Sequence, residues 1–157
     1  MADIISQSAR SAMMSKIRSS NTAPELTVRK LLFAKGLRYQ LHRKDLPGKP
    51  DLVFPRFKAV ILIHGCFWHM HGNGCYLSKR PSSNTEFWDT KLGKNKERDL
   101  RVVAELLSLG WRVGTVWECS VRAKKPEQLG ELVDIIYSWL HSNTQTLETE
   151  AVQKGKK

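Results

Sequence analysis

The chain has 157 residues, of which 41% are hydrophobic and 26% charged, and its formal net charge is +11. This length and composition predict one globular domain, and the excess of basic side chains favours a polyanionic partner, either nucleic acid or an anionic membrane surface. The longest aliphatic run, residues 59–63, is far shorter than the roughly 20 residues of a membrane span, and no leader-like segment opens the chain. Membrane, secreted and repeat proteins are therefore excluded, and we expect a cytoplasmic location.

The positive charge is concentrated at the beginning of the chain. Residues 1–50 hold ten Lys and Arg against three Asp and Glu. Residues 1–21 are rich in serine and poor in large apolar side chains, which predicts a flexible basic arm that becomes ordered on a partner. A frayed terminus has the same composition.

Residues 22–141, the predicted folded domain, contain signals for both helices and strands. The first helix begins after Thr22 as N-cap, with Pro24 in its first turn, and ends at Gly36. Strands are predicted at residues 37–42, 51–54, 58–64 and 111–118. Further helices are predicted at residues 86–109, with a break near Gly93, and 129–140. This order predicts an α/β domain with a mixed central β-sheet flanked by helices.

Two other segments complete the predicted organisation. Residues 65–84 are rich in Gly, Ser and Asn and form a long functional loop, and residues 142–157 are polar and form a disordered tail. The second helix is predicted to bury the apolar side chains Leu100, Val103, Ala104 and Leu107. No spare apolar face or heptad is visible, so we expect a monomer.

Cysteine and histidine are concentrated in residues 64–75, which contain three of the five histidines and two of the three cysteines. In a reducing compartment, three cysteines indicate a metal site or free thiols rather than disulfides. A tetrahedral structural Zn²⁺ site could take its ligands from Cys66, His71, Cys75 and Cys119. The spacing also allows His69 in place of His71, and buried cysteines with surface histidines would need no metal.

A carboxylate stands at the start of a predicted strand. Asp51 follows Pro50, and the next strand is apolar and ends at His64. Oxygen ligands at such a sheet edge hold Mg²⁺ in many nucleases, where phosphate and water complete the coordination. Pro-Asp is also a common turn dipeptide, so the pair alone does not separate a catalytic site from a turn.

Aromatic side chains occur in and after the long loop. Phe67 and Trp68 lie among histidines and glycines, and Trp88 follows the loop. Flat rings beside a basic surface can stack on bases or enter a duplex, and burial in the core is the alternative. For four other rings the core is the expected location: Phe87, Trp111, Trp117 and Trp139.

Residues 91–96 form a basic stretch that includes an amide. Lys91 and Asn95 could contact base edges or phosphates, although a solvated helix face has the same composition. Glu97 and Asp99 follow, and either carboxylate could orient a histidine or pair with a neighbouring arginine.

Taken together, several motifs resemble the very short patch repair (Vsr) mismatch endonuclease family over roughly residues 8–140. They are residues 46–51 (LPGKPD), 64–69 (HGCFWH), 85–88 (TEFW), 93–99 (GKNKERD), 110–113 (GWRV) and 116–119 (VWEC). The resemblance implies a restriction-endonuclease-like core. It also implies an enzyme that nicks the thymine-bearing strand at T:G mismatches, which arise when 5-methylcytosine deaminates.

The resemblance also implies catalytic roles. Asp51 would bind Mg²⁺ together with the backbone carbonyl of Ile63, and Glu25 would reach metal-bound water. His69 would be the general acid or base, oriented by Asp99 and with His64 beside it. The chain lacks the Glu-x-Lys half of the common nuclease motif, and histidine fills the place of the lysine in this family.

Zinc and DNA contacts follow from the same resemblance. It selects His71 over His69 as the zinc ligand beside Cys66, Cys75 and Cys119. Phe67, Trp68 and Trp88 match residues that enter the DNA stack. Met14, Lys91 and Asn95 match positions near the mismatched pair.

The resemblance identifies duplex DNA with a T:G mispair as the partner, inside a bacterial cell and at its nucleoid. MutL-type mismatch-repair proteins and a cytosine-5 methyltransferase system are further candidate partners. Three alternatives remain at this point: a restriction-like nuclease for an intact site, a zinc-stapled DNA-binding module without catalysis, and, less favoured, an RNA-binding module.

Overall fold

A mixed five-stranded β-sheet forms the centre of the protein, seen in a computed structural model that describes residues 21–72, 75–79 and 81–150. Its strands are β1 (Gln40–Leu41), β2 (Leu52–Phe54), β3 (Ala59–His64), β4 (Arg112–Trp117) and β5 (Thr146–Thr149). They lie side by side in chain order, antiparallel from β1 to β3 and parallel from β3 to β5. The predicted α/β architecture with a mixed sheet is confirmed.

Helices cover both faces of this sheet. They are α1 (Ala23–Ala34), α2 (Thr85–Ser108) and α3 (Pro126–Leu140). One core cluster joins α1 and α3 to the sheet, with Leu32, Ile61 and Ile136 fully buried. A second cluster joins α2 to the other face through Val60 and Leu106. Because β3 is covered on both faces, its sequence is a continuous apolar run rather than an alternating one.

The predicted boundaries of α1 are confirmed. Thr22 is the N-cap, and its hydroxyl accepts the backbone N–H of Glu25 at 3.4 Å. Pro24 lies in the first turn, where its missing N–H costs no hydrogen bond. Gly36 follows the helix with a φ of +95°, a left-handed conformation that glycine adopts without strain.

Helix α2 differs from the sequence prediction in two ways. It runs without a break through Gly93, because the roughly 1 kcal/mol cost of a helical glycine is small for a long helix held by packing. Its buried face is also rotated from the predicted one. Leu92 and Leu106 are fully buried, whereas the predicted Leu100 is 63% exposed and Ala104 is exposed.

The prediction of a disordered tail over residues 142–157 is wrong for the segment that forms β5. This strand pairs in parallel with β4, from Val113 opposite Thr146 to Val116 opposite Thr149. Helix α3 returns the chain to the edge of the sheet, where backbone hydrogen bonds and the contact of Leu147 with the core order a largely polar strand. Residues 151–157 lie outside the described residues.

Residues 1–20 of the predicted N-terminal arm, and with them Met14, also lie outside the described residues. Within the described part of the chain, no helix has both the length and the apolar character needed to cross a bilayer.

Three of the four rings predicted to be in the core are buried. Trp111, Trp117 and Trp139 are 5–7% exposed. Gly114 makes room for one of them, because a Cβ at this position would lie 3.1 Å from the Trp139 ring. The prediction for Phe87 is wrong: it is 58% exposed, since the first turn of α2 extends past the edge of the sheet core.

Candidate active site

Strand register brings Asp51 to the end of β3. Antiparallel pairing of Leu52 with Ile61 sets the beginning of β2 beside the last residues of β3. The Asp51 carboxylate accepts the backbone N–H of Ile63 at 2.7 Å. The Asp51 carboxylate and the backbone of Ile63 are therefore neighbours. The family resemblance implies that these two groups bind the same cation.

The turn before Asp51 is packed tightly against α2. Gly48 has a φ of +72°, and a Cβ there would lie 2.4 Å from a methyl carbon of Val102. Only glycine fits this close approach without displacing the helix or the turn. The turn closes with a hydrogen bond from the Lys49 N–H to the Leu46 carbonyl, which fixes how the chain enters β2.

Asp51 belongs to a group of three side chains that we call the carboxylate cluster: Glu25, His42 and Asp51. Their ligand atoms all lie within 4.8 Å of one another. Glu25 is 1% exposed although it carries a carboxylate. Its oxygens contact the backbone N–H of Asn21 at 3.1 Å, the guanidinium of Arg29 at 3.3 Å and Nε2 of His42 at 2.7 Å.

The electrostatics of the carboxylate cluster are unfavourable without a cation. The pKa of Asp51 is raised from its usual 3.8 to about 7, mainly by burial and also by the neighbouring Glu25, against the opposing effect of the Ile63 N–H bond. Two carboxyl groups held together away from water stabilise a proton or a metal ion between them. The geometry therefore fits a divalent cation at Asp51.

His42 is a member of this cluster that the sequence analysis missed. Its backbone is left-handed, with a φ of +49°, and its N–H bonds to the carbonyl of Asp51 at 3.3 Å. The sequence around His42 contains no pattern that predicts its contact with Glu25. The two residues are 17 positions apart, and the packing of α1 brings them together.

A second group, which we call the histidine pair, consists of His64 and His69. The two rings stack with centroids 3.9 Å apart and an interplanar angle of 5°. Nδ1 of His69 lies 2.5 Å from a carboxylate oxygen of Asp99. Of the two carboxylates considered from sequence, Asp99 and not Glu97 makes this contact, because it is Asp99 that α2 presents to the loop.

His64 is held neutral. Burial lowers its pKa from 6.5 to about 3, and the adjacent His69 contributes in the same direction. Its Nδ1 is buried and has no hydrogen-bond partner among the described residues. A buried polar atom without a partner is costly, so a group from outside the chain, such as water or substrate, would satisfy it.

Asp51 of the carboxylate cluster and both members of the histidine pair line one cleft of about 830 Å³. Asp51, His64, His69 and Asp99 all line it, together with the basic side chains Lys49, Lys91 and Arg98. The cleft lies at the carboxyl end of β3, the usual position of binding sites in α/β sheets. A polyanion entering it would meet cations at the rim and carboxylates and histidines inside.

The four predicted zinc ligands also converge, in what we call the cysteine–histidine cluster: Cys66, His71, Cys75 and Cys119. Their ligand atoms all lie within 4.8 Å of one another. Parallel pairing of His64 with Trp117 explains the arrangement, because Cys66 and Cys119 each follow their strand by two residues. The structure places His71 in this cluster and His69 in the histidine pair.

Burial in the cysteine–histidine cluster suits a metal with sulfur ligands. Cys66 and Cys119 are at most 1% exposed, and burial raises the pKa of the Cys66 thiol. The Cys119 N–H lies 3.4 Å from Sγ of Cys66, and Nδ1 of His71 lies 3.6 Å from Sγ of Cys119. Three sulfurs and one imidazole nitrogen in a closed site match the donor set of structural zinc.

Four aromatic rings form a further group, the aromatic cluster, of which Trp68 lines the cleft: Phe67, Trp68, Phe87 and Trp88. Trp88 contacts each of the others, with centroids 5.1–5.9 Å apart and edge-to-face angles. Phe67, Trp68 and Trp88 are partly exposed. The rings support one another and still present apolar surface to solvent beside the cleft.

The two polar residues predicted to lie near a bound base have different surroundings. Lys91 is exposed and lines the cleft. Asn95 donates from Nδ2 to the carbonyl of Trp68 at 3.1 Å and accepts a hydrogen bond from Arg98 at 3.2 Å. Asn95 therefore anchors the loop that carries Trp68.

Glu118 is another residue that the sequence analysis missed. Its carboxylate accepts the backbone N–H of Cys66 at 3.3 Å, and it also lines the cleft. It connects the end of β4 to the beginning of the loop after β3. Its place in the VWEC motif was visible, but its contact depends on the parallel register.

Comparison with known proteins gives consistent results. A family model described as DNA mismatch endonuclease Vsr matches residues 2–77. The type II nicking enzyme V.XorIIP of Xanthomonas oryzae is 47% identical over 121 residues, which are 77% of this chain and 88% of that protein. The DNA mismatch endonuclease Vsr of Escherichia coli is 42% identical over 140 residues, 89% of this chain and 88% of that protein.

A third relative, the type II nicking enzyme V.NmeAIP of Neisseria meningitidis, is 46% identical over 135 residues, 85% of this chain and 95% of that protein. All three alignments extend over most of both chains. The chain belongs to the Vsr family of DNA mismatch endonucleases.

Proposed function

We propose that this DNA endonuclease nicks the thymine-bearing strand beside T:G mispairs, by Mg²⁺-dependent hydrolysis of a phosphodiester bond. The observation that carries the proposal is the cleft that Asp51 and the histidine pair line together. Membership of the mismatch endonuclease family supports the same reaction class.

Asp51 and the backbone carbonyl of Ile63 would hold the Mg²⁺. Bound there, the ion supplies Lewis-acid polarisation of the phosphate and stabilises charge on the leaving oxygen. The chain prepares the position by fixing Asp51 through the Ile63 N–H. Glu25, fixed by its three donors, would accept hydrogen bonds from water beside Asp51.

The histidine pair would handle the proton. With Nδ1 of His69 bonded to Asp99, Nε2 is the ring atom that can exchange a proton with water or the reacting oxygens. Imidazole is the side chain best suited to such a proton transfer at neutral pH. The stacked and neutral His64 would fix the plane of the His69 ring without adding positive charge.

The aromatic cluster would provide selectivity for a mispair. Insertion of Phe67, Trp68 or Trp88 into a duplex costs a few kcal/mol of unstacking, and less at a mispaired base. Met14 from the basic arm, residues 1–21, together with Lys91 and Asn95, would lie near the mispaired bases. Lys49 and Arg98 at the cleft would contact phosphates.

The cysteine–histidine cluster would hold structural Zn²⁺, with Cys66, His71, Cys75 and Cys119 filling all four tetrahedral positions. Its role would be to fasten the loop after β3, which carries Phe67, Trp68 and His69, to the end of β4. The three-layer arrangement around a mixed sheet fits a restriction-endonuclease-like core. Residues 22–141 would be the endonuclease domain, to which the structure adds β5.

The proposed substrate places this enzyme in repair of deaminated 5-methylcytosine. Its work would then depend on a cytosine-5 methyltransferase system that creates the substrate, and MutL-type repair proteins would be its partners. The site of action would be the bacterial nucleoid, and the working form a monomer.

The test is a strand-resolved nicking assay. A duplex with one T:G pair and the matched T:A duplex, each labelled separately on both strands, are incubated with the protein and Mg²⁺ or EDTA. We expect a Mg²⁺-dependent nick in the thymine strand of the mismatched duplex alone. Equal cleavage of both duplexes would favour a restriction-like nuclease, and binding without a nick would favour a DNA-binding module; either result contradicts the proposal.

A further inference from the structure

Strand β5 is connected by side chains to the end of β4 and to the loop after β3. The indole N–H of Trp117 donates to the Glu148 carboxylate at 2.6 Å. The hydroxyl groups of Ser120 and Thr149 are 3.0 Å apart and buried. Nε2 of His71 lies 2.6 Å from the carboxylate of Glu150. Three successive residues of the C-terminal segment thus reach the surroundings of the cysteine–histidine cluster.

The two ring nitrogens of His71 have different neighbours. Nδ1 lies 3.6 Å from Sγ of Cys119, inside the cysteine–histidine cluster, while Nε2 faces Glu150 on the outside. The ring also stacks on Trp117, with centroids 4.0 Å apart and an interplanar angle of 10°. The His71 side chain is 4% exposed and that of Glu150 is 39% exposed, so the carboxylate covers the outer edge of a buried ring.

A neutral imidazole donates a hydrogen bond from one nitrogen and binds a metal through the other. The hydrogen-bond acceptor selects the nitrogen that carries the proton, and so leaves the other nitrogen as the metal ligand. A carboxylate is the strongest such partner, because it fixes the tautomer, orients the ring and makes the ligating nitrogen more basic. Glu150 lies where it can fix the tautomer of His71, orient its ring and make Nδ1 more basic.

We propose that Glu150 is a positioning residue for the zinc site: its carboxylate accepts the Nε2–H of His71 and fixes Nδ1 as the ligand atom. The proposal rests on the structural zinc of the proposed function. It assigns the C-terminal strand a part in metal retention, although neither Glu150 nor β5 supplies a ligand of the cysteine–histidine cluster.

The test measures zinc retention in the full chain. Zinc content is determined by elemental analysis, and the rate of zinc transfer to a chromogenic chelator is measured at one neutral pH for Glu150→Ala, Glu150→Gln and Glu131→Ala. Glu131 is a matched control, since it is an exposed glutamate on α3. Glu150→Gln keeps an acceptor oxygen for the Nε2–H but removes the charge.

We expect zinc to leave Glu150→Ala about 10–100 times faster than the wild type, the range for loss of an outer partner of a ligating histidine. The zinc release rate of Glu150→Gln should lie between those of the wild type and Glu150→Ala, and that of Glu131→Ala should equal the wild-type rate. Release from Glu150→Ala at the wild-type rate, or equal acceleration in Glu131→Ala, would overturn the proposal. A wild-type protein without zinc would instead refute the zinc site itself.

Cobalt substitution separates positioning from ligation. Co²⁺ in a site of three thiolates and one imidazole absorbs in the visible range, and the spectrum reports its ligands. We expect Glu150→Ala to give the wild-type spectrum with weaker binding of Co²⁺. A changed spectrum would contradict the proposal, because Glu150 would then be a ligand. Should Glu150→Ala fold poorly, the same comparison made with Glu150→Gln decides the question.

Discussion

The carboxylate cluster and the cysteine–histidine cluster are both suited to a cation, yet their surroundings differ in every respect. The first consists of two carboxyl groups and an imidazole; its Asp51 lines an open cleft, and burial raises the pKa of Asp51 to about 7. The second consists of three thiols and an imidazole, of which Cys66, His71 and Cys119 are buried. Hard ligands at an open site favour a catalytic ion, and soft ligands in a closed site favour a structural one.

Under the proposed function, one sheet edge would support both a catalytic and a structural metal site. Both clusters lie at the end of β3, one on the side of β2 and the other on the side of β4. The carboxylate cluster keeps unfavourable electrostatics that a substrate-bound cation can relieve. The cysteine–histidine cluster would, with a bound metal, hold the loop after β3 in place.

The largest effect should come from Asp51→Asn. Loss of the charged oxygen ligand should reduce nicking of a T:G duplex by about 10³-fold or more, with zinc content and mismatch binding nearly unchanged. Single-turnover nicking, a gel-shift assay and elemental analysis measure the three quantities. Asp45→Asn, a change at an exposed carboxylate paired with Arg43, is the control and should nick normally. Simultaneous loss of binding and nicking would contradict the catalytic assignment.

His69→Ala should reduce the nicking rate by about 10²–10³-fold, as expected for loss of a general acid or base. Asp99→Asn should cause a smaller loss, because it leaves the imidazole in place but disturbs its tautomer. His141→Ala, at an exposed histidine after α3, is the matched control. A fully active His69→Ala protein would exclude a role of the histidine pair in the reaction.

Cys119→Ser should act on stability rather than directly on chemistry. Loss of a zinc ligand should release the metal and lower the free energy of unfolding by about 3 kcal/mol or more. Denaturant titration and zinc analysis test this expectation. A serine variant that keeps one zinc per chain and the wild-type stability would show that the cysteine–histidine cluster has no structural metal.

The pH dependence of stability should identify the carboxylate cluster. Because the folded-state pKa of Asp51 is about 7 and lies above its usual 3.8, its contribution to stability is complete below about pH 4 and is lost as the pH rises through 7. In Mg²⁺-free buffer at pH 8, the free energy of unfolding of Asp51→Asn should therefore exceed that of the wild type by about 1–3 kcal/mol. At pH 5 the gain should be less than half of that at pH 8, because Asp51 is then still protonated in the folded protein.

Urea titrations at the two pH values measure this difference. Mg²⁺ should restore the stability of the wild type at pH 8 and have little effect on Asp51→Asn. A difference between the two proteins that is independent of pH would argue against the raised pKa.

The smallest expected effect is that of His42. His42→Ala removes one of the donors that hold Glu25 and should lower the nicking rate about 10-fold, with a higher Mg²⁺ requirement. His42→Gln can still donate from its side-chain amide and should recover most of the rate. Titration of the nicking rate with Mg²⁺ tests both variants, and a merely structural role would leave the Mg²⁺ requirement unchanged.

Local signals in the sequence were enough to predict much of the fold. The N-cap at Thr22, the apolar run of β3 and the apolar spacing of α3 each determine a single element. Strand β5 and the buried face of α2 could not be predicted in this way. A short polar strand is ordered by backbone pairing with β4, and the orientation of α2 depends on which side chains meet the sheet.

The candidate site follows the same rule. Cysteine and histidine types suggested a metal site from the sequence, and the strand register then brought Cys66 to Cys119 across 53 positions. His42, Glu118 and Glu150 escaped notice because each acts through a residue far away in the chain. Charged residues of common types carry no pattern that marks such contacts.

The most direct measurement is the metal dependence of nicking by zinc-loaded protein on the T:G duplex. We expect that removing Mg²⁺ stops nicking at once while the protein retains its zinc, and that Mg²⁺ alone restores the full rate. Nicking that persists without Mg²⁺, or that changes in proportion to zinc content instead, would contradict the assignment of a catalytic Mg²⁺ to the carboxylate cluster and a structural Zn²⁺ to the cysteine–histidine cluster.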